Sequence, residues 1–484
     1  MDRNFNVFLD RRPEVDGHLE RWAVRSARGS CRRPNLSISF LSVAAAILLL
    51  FSVLPCSLAL TLEECIVMAL NNNPNVRAAT ERIQAARAAI REAQSAYYPM
   101  IGASVTYART DNPPQAFLMM LNQRRASLQS DFNNPSDTEN LALNLGLKYC
   151  LYDFGRRGLD TDMARGAAEI TRLVLKGLQN DLIQQVTQGY YSVLQADAFV
   201  SVRADTVNDL QESLRVANEL VDSGSALTLD VLNLEVQVAQ ARDELIRSRN
   251  GVKLALAALN TAIGSNLASA SNMPDKVEQP QSRPEESNDP EAIRERPELQ
   301  AARRMAEVRQ AALDKSRREY FPTLNAFGSA DWNSHASLDF QPSYFVGISA
   351  EVTLFDGFRR NAAVDAAAAM ERVAEAEERR TADNLRLDLT SASIQILESW
   401  ERLEVARKSI ASAEEALRIT QERYREGVAD IPQLLTSQTG LTGTRARNVA
   451  ALYDYLTAVS NLERAKGELI KHFDKDEEKG KRHD

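Results

Sequence analysis

Cysteine and histidine are scarce in this chain, with four of each among 484 residues. The cysteines, at 31, 56, 65 and 150, show neither paired metal spacing nor a dense disulfide framework. The histidines, at 18, 335, 472 and 483, are scattered, so a zinc site has little to start from. Glycine is low at 20, which favours long regular elements over turn-rich folds. No Gly-rich phosphate loop, Ser nucleophile elbow or His/carboxylate cluster occurs, so neither an enzyme nor a cofactor is indicated. The formal charge of −8 gives no reason to expect nucleic acid. The uncharged, mostly apolar run from Phe40 to Leu54 is shorter than the roughly 17–25 residues of a membrane-spanning helix.

That run has another use. It follows Arg32-Arg33 and precedes "PCSLALTLEE", with Ser57 and Ala59 at the small-residue positions before a cut near Leu60. This is the pattern of a secretory signal, so residues 1–59 are expected to be an N-terminal extension plus leader. The stretch ahead of the run carries acids as well as arginines, and the true translation start is expected downstream of Met1. Removing residues 1–59 takes away eight basic and five acidic groups, which leaves the exported chain more acidic.

The rest of the chain is written twice. "NNPNVRAAT" around Pro74 returns as "ERPELQAAR" around Pro297, and "YYPMIGA" at Pro99 returns as "YFPTLNA" at Pro322, both 223 residues on. From "CLYDFGRRG" (Cys150 to Gly158) and "TLFDGFRRN" (Thr353 to Asn361) onward the offset is 203, and Gly224/Gly427 and Gly264/Gly467 keep it. A multiple of seven aligns any two heptad helices, but the glycine and Asp-x-x-Arg-Arg anchors lie outside the heptads. The duplication therefore predicts a first repeat over 60–264, a linker over 265–290, a second repeat over 291–467 and a charged tail over 468–484. The longer first copy places its extra residues in "DNPPQAFLMMLNQRRASLQSDFNNPSDTEN", between Asp111 and Asn140.

Each copy predicts a helix (75–98, then 298–321) that ends at a Pro, short alternating segments, and a very long helix. Val186, Val193, Val200, Val207, Leu214 and Val221 recur every seven residues, as do Leu389, Ile396, Leu403, Ile410, Leu417 and Tyr424. A sustained seven-residue period calls for a neighbouring helix and a left-handed supercoil. Between the helices, Leu141 to Leu151 and Tyr344 to Leu354 alternate apolar and other residues, with weaker versions at Ile101–Tyr107 and Leu324–Trp332. Such alternation predicts strands with one apolar face, long enough when tilted to match the apolar band of an outer-membrane barrel. Four strands do not close a barrel, and open edges in lipid leave backbone groups unpaired, so copies must combine. Two copies would supply eight strands and three would supply twelve with room for a channel. The Asp-x-x-Arg-Arg sentence marks the strand-to-helix junction, with Asp153, Arg156 and Arg157 in one copy and Asp356, Arg359 and Arg360 in the other. The aspartates suit the positive end of the long helix.

With these features the chain resembles the TolC-type outer-membrane efflux protein family over roughly Leu62 to Gly467. The resemblance rests on "NNPNVRAAT", "RPELQAAR", both Pro-to-strand junctions, both aromatic-Asp sentences and "RYREG" from Arg423 to Gly427. It implies an all-α-dominated fold with membrane β-structure: duplicated β-hairpins and long coiled-coil helices. It also implies a homotrimer with a twelve-stranded outer-membrane barrel, continued by an α-helical barrel in the periplasm. The implied function is the passive duct of a tripartite efflux or type I secretion system. Its partners would be outer-membrane lipid, a periplasmic adaptor and an inner-membrane RND or ABC transporter. The linker would lie in a belt around the tunnel.

The resemblance further implies a gate at the Gly224 and Gly427 turns. Tyr424 and Asp230 occupy positions that are linked in family members, whereas an arginine of the family is Ala429 here. The family's acidic-ring positions hold Gln433 and Thr436, leaving Asp430 and Glu235 as sources of negative charge. A periplasmic coiled-coil adaptor is the alternative, but it would need soluble β-domains flanking a single hairpin. A structural coiled coil would explain the heptads and leave the leader and strands unexplained.

Overall fold

A computed structural model describes residues 60–127, 129, 131, 133–265, 279–284, 291–335 and 338–469. The expected leader, most of the linker and the tail beyond 469 lie outside the described residues.

The first repeat runs α1 (Leu62–Asn72), α2 (Pro74–Ser95), β1 (Met100–Thr110), α3 (Pro113–Asn122), β2 (Thr138–Tyr152), α4 (Arg156–Asp222) and α5 (Thr228–Ile263). A 3₁₀ turn (Ala292–Glu295) opens the second, followed by α6 (Pro297–Arg318), β3 (Thr323–Ser334), β4 (Gln341–Glu351), α7 (Arg359–Arg425) and α8 (Ile431–Lys466). The copies match in length. α4 and α7 each have 67 residues, α5 and α8 each 36, and α2 and α6 each 22. At about 1.5 Å per residue the longest pair spans about 100 Å. α2 and α6 start on Pro74 and Pro297, whose missing N–H costs nothing at a first helical position. They end at Ser95 and Arg318, one turn short of the expected 98 and 321.

The heptad residues form the seam of the long helices. Val186, Val193 and Val207 are buried in one copy, and Leu389, Ile396, Leu403, Leu417 and Tyr424 in the other. Three apolar clusters result. One joins α1, α4 and α5, another joins α6, α7 and α8, and the third sits near the Gly224 and Gly427 turns with residues of both copies. Among the described residues no helix is long and apolar enough to cross a membrane.

The four strands make one antiparallel sheet in the order β1-β2-β3-β4. Its two hairpins share a register: Met100 faces Lys148 in one, and their counterparts Thr323 and Glu351 face each other in the second. Along the sheet Val105 lies opposite Leu143, Leu143 opposite Trp332, Leu147 opposite Gly328, and Gly328 opposite Val346. One face therefore gathers the apolar residues, and Tyr344, Val346 and Ile348 on it are largely exposed. The opposite face carries Asn140, Asn144, Asp331 and Asn333, joined by Asn140–Asn333 and Asn144–Asp331 hydrogen bonds of 2.8 and 2.6 Å.

Two strand expectations need correction. A bulge at Leu151 resets the alternation, so that Tyr152, not Leu151, lies opposite Leu324. β4 stops at Glu351, and Val352 and Leu354 lie beyond the ladder. The copies differ most between Thr110 and Thr138, where the connection contains α3; Ser334 and Gln341 are joined by a short one. The helices repeat the sheet order: α2 packs on α4, α4 on α6, and α6 on α7.

Candidate functional site

Each strand-to-helix junction is a turn in which both residues after the aspartate are left-handed. Phe154 and Gly155 have φ of 57° and 79°, and Gly357 and Phe358 both have 67°. Glycine takes this region without strain and a side chain does not, so one glycine relieves one of the two positions. This is why the two copies tolerate the aromatic and the glycine in opposite orders. The phenylalanines are retained by packing. Phe154 stacks on Phe321 at 4.9 Å, and Phe355 meets Phe358 edge-on at 5.5 Å.

The aspartates cap the long helices. Asp153 accepts from the Gly155 N–H at 3.1 Å, the Arg157 N–H at 2.8 Å and Arg157 Nε at 3.1 Å. Asp356 accepts from the Arg360 N–H at 3.3 Å and Arg360 Nε at 2.8 Å. These bonds satisfy donors at the start of a helix, where no intrahelical acceptor exists. Burial raises the Asp356 carboxyl, but the bonds and charge of Arg360 outweigh it and hold the group below the usual carboxylate range. The second arginine of each pair also lies over a tyrosine, Arg157 on Tyr97 at 4.9 Å and Arg360 on Tyr320 at 4.7 Å. The first arginines differ. Arg156 donates to the Phe321 carbonyl at 3.0 Å, whereas Arg359 is mostly exposed and reaches Glu319 and Asp356 only at 3.8 Å. Arg318, which the repeat pattern does not reveal, donates to the carbonyls of Phe154 and Gly155 at 3.1 and 3.3 Å.

The residues before Pro74 and Pro297 do related work at the other end of the return helices. Asn73 donates to the Ala262 carbonyl at 2.8 Å. Arg296, 1% exposed, donates to the Arg464 and Ala465 carbonyls at 2.8 and 3.0 Å, and Ala465 is the counterpart of Ala262. Both supply donors to carbonyls in the last turn of a helix. Arg296 is held by Glu298 at 2.9 Å and Asp388 at 3.6 Å.

At the far end, Gly224 and Gly427, each with φ of 73°, close the long helices. The N–H groups of Ser225 and Val428 bond back to Leu220 and Arg423 at 2.7 and 2.8 Å, the wide loop of a glycine-ended helix. Tyr424 is buried with no hydrogen-bond partner for its hydroxyl, and burial, then the Asp230 charge, push that phenol up. The expected Tyr424–Asp230 bond is therefore not formed. Asp230 bonds instead to the Leu227 N–H at 3.4 Å at the start of its own helix. Asp430 likewise caps α8, accepting from the Gln433 N–H at 3.0 Å, and Glu235 is exposed. Helical dipoles draw both aspartates to these starts. Above the tip, Arg215 bonds Glu212 and Glu219, and Arg418 bonds the counterparts Glu415 and Glu422, an exposed triad present in both copies. Its Glu-x-x-Arg-x-x-x-Glu spacing was available in the sequence.

No group of carboxylate, histidine and cysteine side chains able to hold a metal occurs among the described residues. The family described as "Outer membrane efflux protein" matches residues 65–265 and 290–468, so both repeats are covered. This chain belongs to that family. An outer membrane efflux protein sits in the outer membrane and extends into the periplasm, which sets aside the periplasmic adaptor as an alternative. Outer membrane protein OprJ of Pseudomonas aeruginosa is 26% identical over 395 residues, which cover 78% of each chain. The toluene efflux pump outer membrane protein TtgC of Pseudomonas putida is 20% identical over 412 residues, covering 84% of this chain and 82% of that one. A membrane protein of Pseudomonas aeruginosa solved by crystallography superposes with a TM-score of 0.73 at 24% identity, covering 84% of this chain and 93% of that one.

Proposed function

We propose that three copies assemble into a passive exit duct that serves a tripartite efflux or type I secretion system. The observation that carries this reading is one sheet with a continuous apolar face and two open edges, attached to helices of 67 residues. Lipid covers the apolar face, and unpaired strand edges have no acceptable place in a bilayer except against another copy. Twelve strands then close a barrel whose polar inner face carries Asn144 and Asp331, and the helices continue the passage into the periplasm. The Gly224 and Gly427 turns form the inner end, which meets a periplasmic adaptor and through it an inner-membrane pump that supplies the energy. Asp230, Tyr424, Asp430 and Glu235 are the gate candidates there, and the Asp153/Arg157 and Asp356/Arg360 pairs hold the helices at the membrane boundary.

Charge placed on either face tests the reading. Leu145→Arg and Ile348→Arg are expected to block assembly into outer membranes, each costing about 2–4 kcal/mol near the midplane. Asn144→Arg and Ser349→Arg are expected to assemble and to change single-channel conductance in planar bilayers. Equal assembly of all four variants, or an absence of channels from the parent protein, would refute the duct.

A further inference from the structure

We infer that Phe327 and Phe345 form an aromatic contact site on the inner wall of the duct, where a solute carrying an aromatic ring is held on its way out. This rests on the duct proposed above and adds a place at which the passage distinguishes among its cargoes.

Strand alternation assigns both rings to the polar face. Phe327 lies opposite Lys148 and Gly347, and Phe345 lies opposite Ser329, in the same-face rows next to that of Asn144 and Asp331. The other residues of that face are small or polar, apart from Met100 at the start of β1. The rings touch, with centroids 5.5 Å apart and planes at 39°. Phe327 is half-buried and lies over Gly347, where a Cβ would come within 2.6 Å of its Cζ. Phe345 is 63% exposed. In the proposed barrel lipid covers the other face of the sheet, so this exposure is to the lumen.

The duplication supplies a control. Phe327 and Gly347 correspond to Ser104 and Asn144, which lie opposite each other in the first hairpin, and Ser329 and Phe345 correspond to Thr106 and Ala142. The outward residues keep their character, Leu143 with Val346 and Leu145 with Ile348. The same hairpin is thus built without rings on its inner face. A ring laid over a strand glycine covers bare backbone, which accounts for Phe327. It does not account for Phe345, whose cross-strand neighbour is a serine.

Beside Phe345 the row continues through Ser329, Gly146 and Gly102. A Cβ on Gly102 would meet nothing within 4 Å, and one on Gly146 would meet only Asn144 Oδ1 at 3.6 Å and the Gly102 carbonyl at 4.0 Å. The floor next to the exposed ring is therefore open. Asn144 and Asp331 border it in one neighbouring row and Lys148 in the other. One carboxylate and one ammonium balance, which leaves the ring rather than net charge as the recognised feature. An aromatic solute loses water against Phe345, and the ring-to-ring contact adds to that burial.

Current blocks in planar bilayers read the site. Two probes of equal charge, phenyltrimethylammonium and cyclohexyltrimethylammonium, are added on the side of the Thr110–Thr138 connection. In the parent the phenyl probe is expected to stay roughly two- to ten-fold longer per block, the range that aromatic pairing supplies. Phe345→Leu, which keeps an apolar side chain, is expected to bring the two residence times together, and Phe345→Tyr to keep them apart. Should Phe345→Leu fail to assemble, Phe327→Leu repeats the loss of a ring, and the parent comparison needs no variant. Equal residence times in the parent, or a difference that survives the loss of the ring, would overturn the site and leave the duct standing. A parent that forms no channels would instead remove the duct.

Discussion

Asn73 and Arg296 occupy equivalent places in the two repeats and reach equivalent carbonyls, yet one is a short neutral amide and the other a buried cation. Asn73 needs a single hydrogen bond and caps α2 as well, accepting from the Asn75 N–H at 2.8 Å. Arg296 answers two carbonyls and must then be neutralised by Glu298 and Asp388. The difference teaches that the duplication preserved a task, the supply of donors to a helix end, and let its chemistry diverge.

Removing each side chain should separate the two solutions. Arg296→Ala is expected to cost the most, about 3 kcal/mol, because it leaves the Ala465 carbonyl without its donor and the Glu298 carboxylate without its cation. Asn73→Ala loses one buried bond and the α2 cap and should cost about 1–2 kcal/mol. Denaturant unfolding in detergent, followed by helical signal, orders the two, and equal losses would mean that the ionic partners add nothing. The junction glycines offer a smaller contrast. Gly357→Ala should cost about 1–2 kcal/mol for left-handed backbone alone, since nothing lies within 4 Å of its Cβ position. Gly155→Ala should cost more, because its Cβ would push Arg318 Nη1 away from the Phe154 and Gly155 carbonyls.

The smallest effect concerns pH. Burial raises the Glu298 carboxyl, but the hydrogen bond and charge of Arg296 outweigh it and hold the group below the usual carboxylate range. A carboxyl lowered in the folded state contributes stability above its unfolded value, near about 4.3, and loses it as pH falls through the folded value. Unfolding midpoints should therefore drop on acidification below about pH 4, and Glu298→Gln should flatten that decline. Asn75, at the equivalent place beside Asn73, brings no such carboxylate, so Asn75→Gln should leave the acid limb of the parent curve unchanged in shape.

Much of this architecture was readable from local periodicity. Val186 to Val221 and Leu389 to Tyr424 announced the long helices, and Leu141 to Tyr149 announced a strand, because each pattern repeats over neighbouring residues. The partners of Arg296 lie 168 and 169 positions away, so nothing near Pro297 in sequence discloses them. The exchange of Phe154-Gly155 for Gly357-Phe358 was visible, but its cause, two consecutive left-handed residues, belongs to the backbone. The bulge at Leu151 escaped for a related reason, since alternation continues through it in sequence while the ladder skips a residue. At the tip, family resemblance paired Tyr424 with Asp230, and local capping took Asp230 instead.

The matched lengths of the helices also constrain how such a gene changes. α4 and α7 end at the same turn of the same cluster, where Leu210 and Ala217 pack with Leu417 and Tyr424. Deleting seven residues from α4 alone would keep its heptad phase and still withdraw the Gly224 turn by about 10 Å from its neighbour. Insertions and deletions in these rods can therefore survive only in pairs, one in each half of the gene. The single large difference in length between the halves falls where no twin is needed, in the connection between Thr110 and Thr138. Drift in sequence is free here to a degree that drift in length is not.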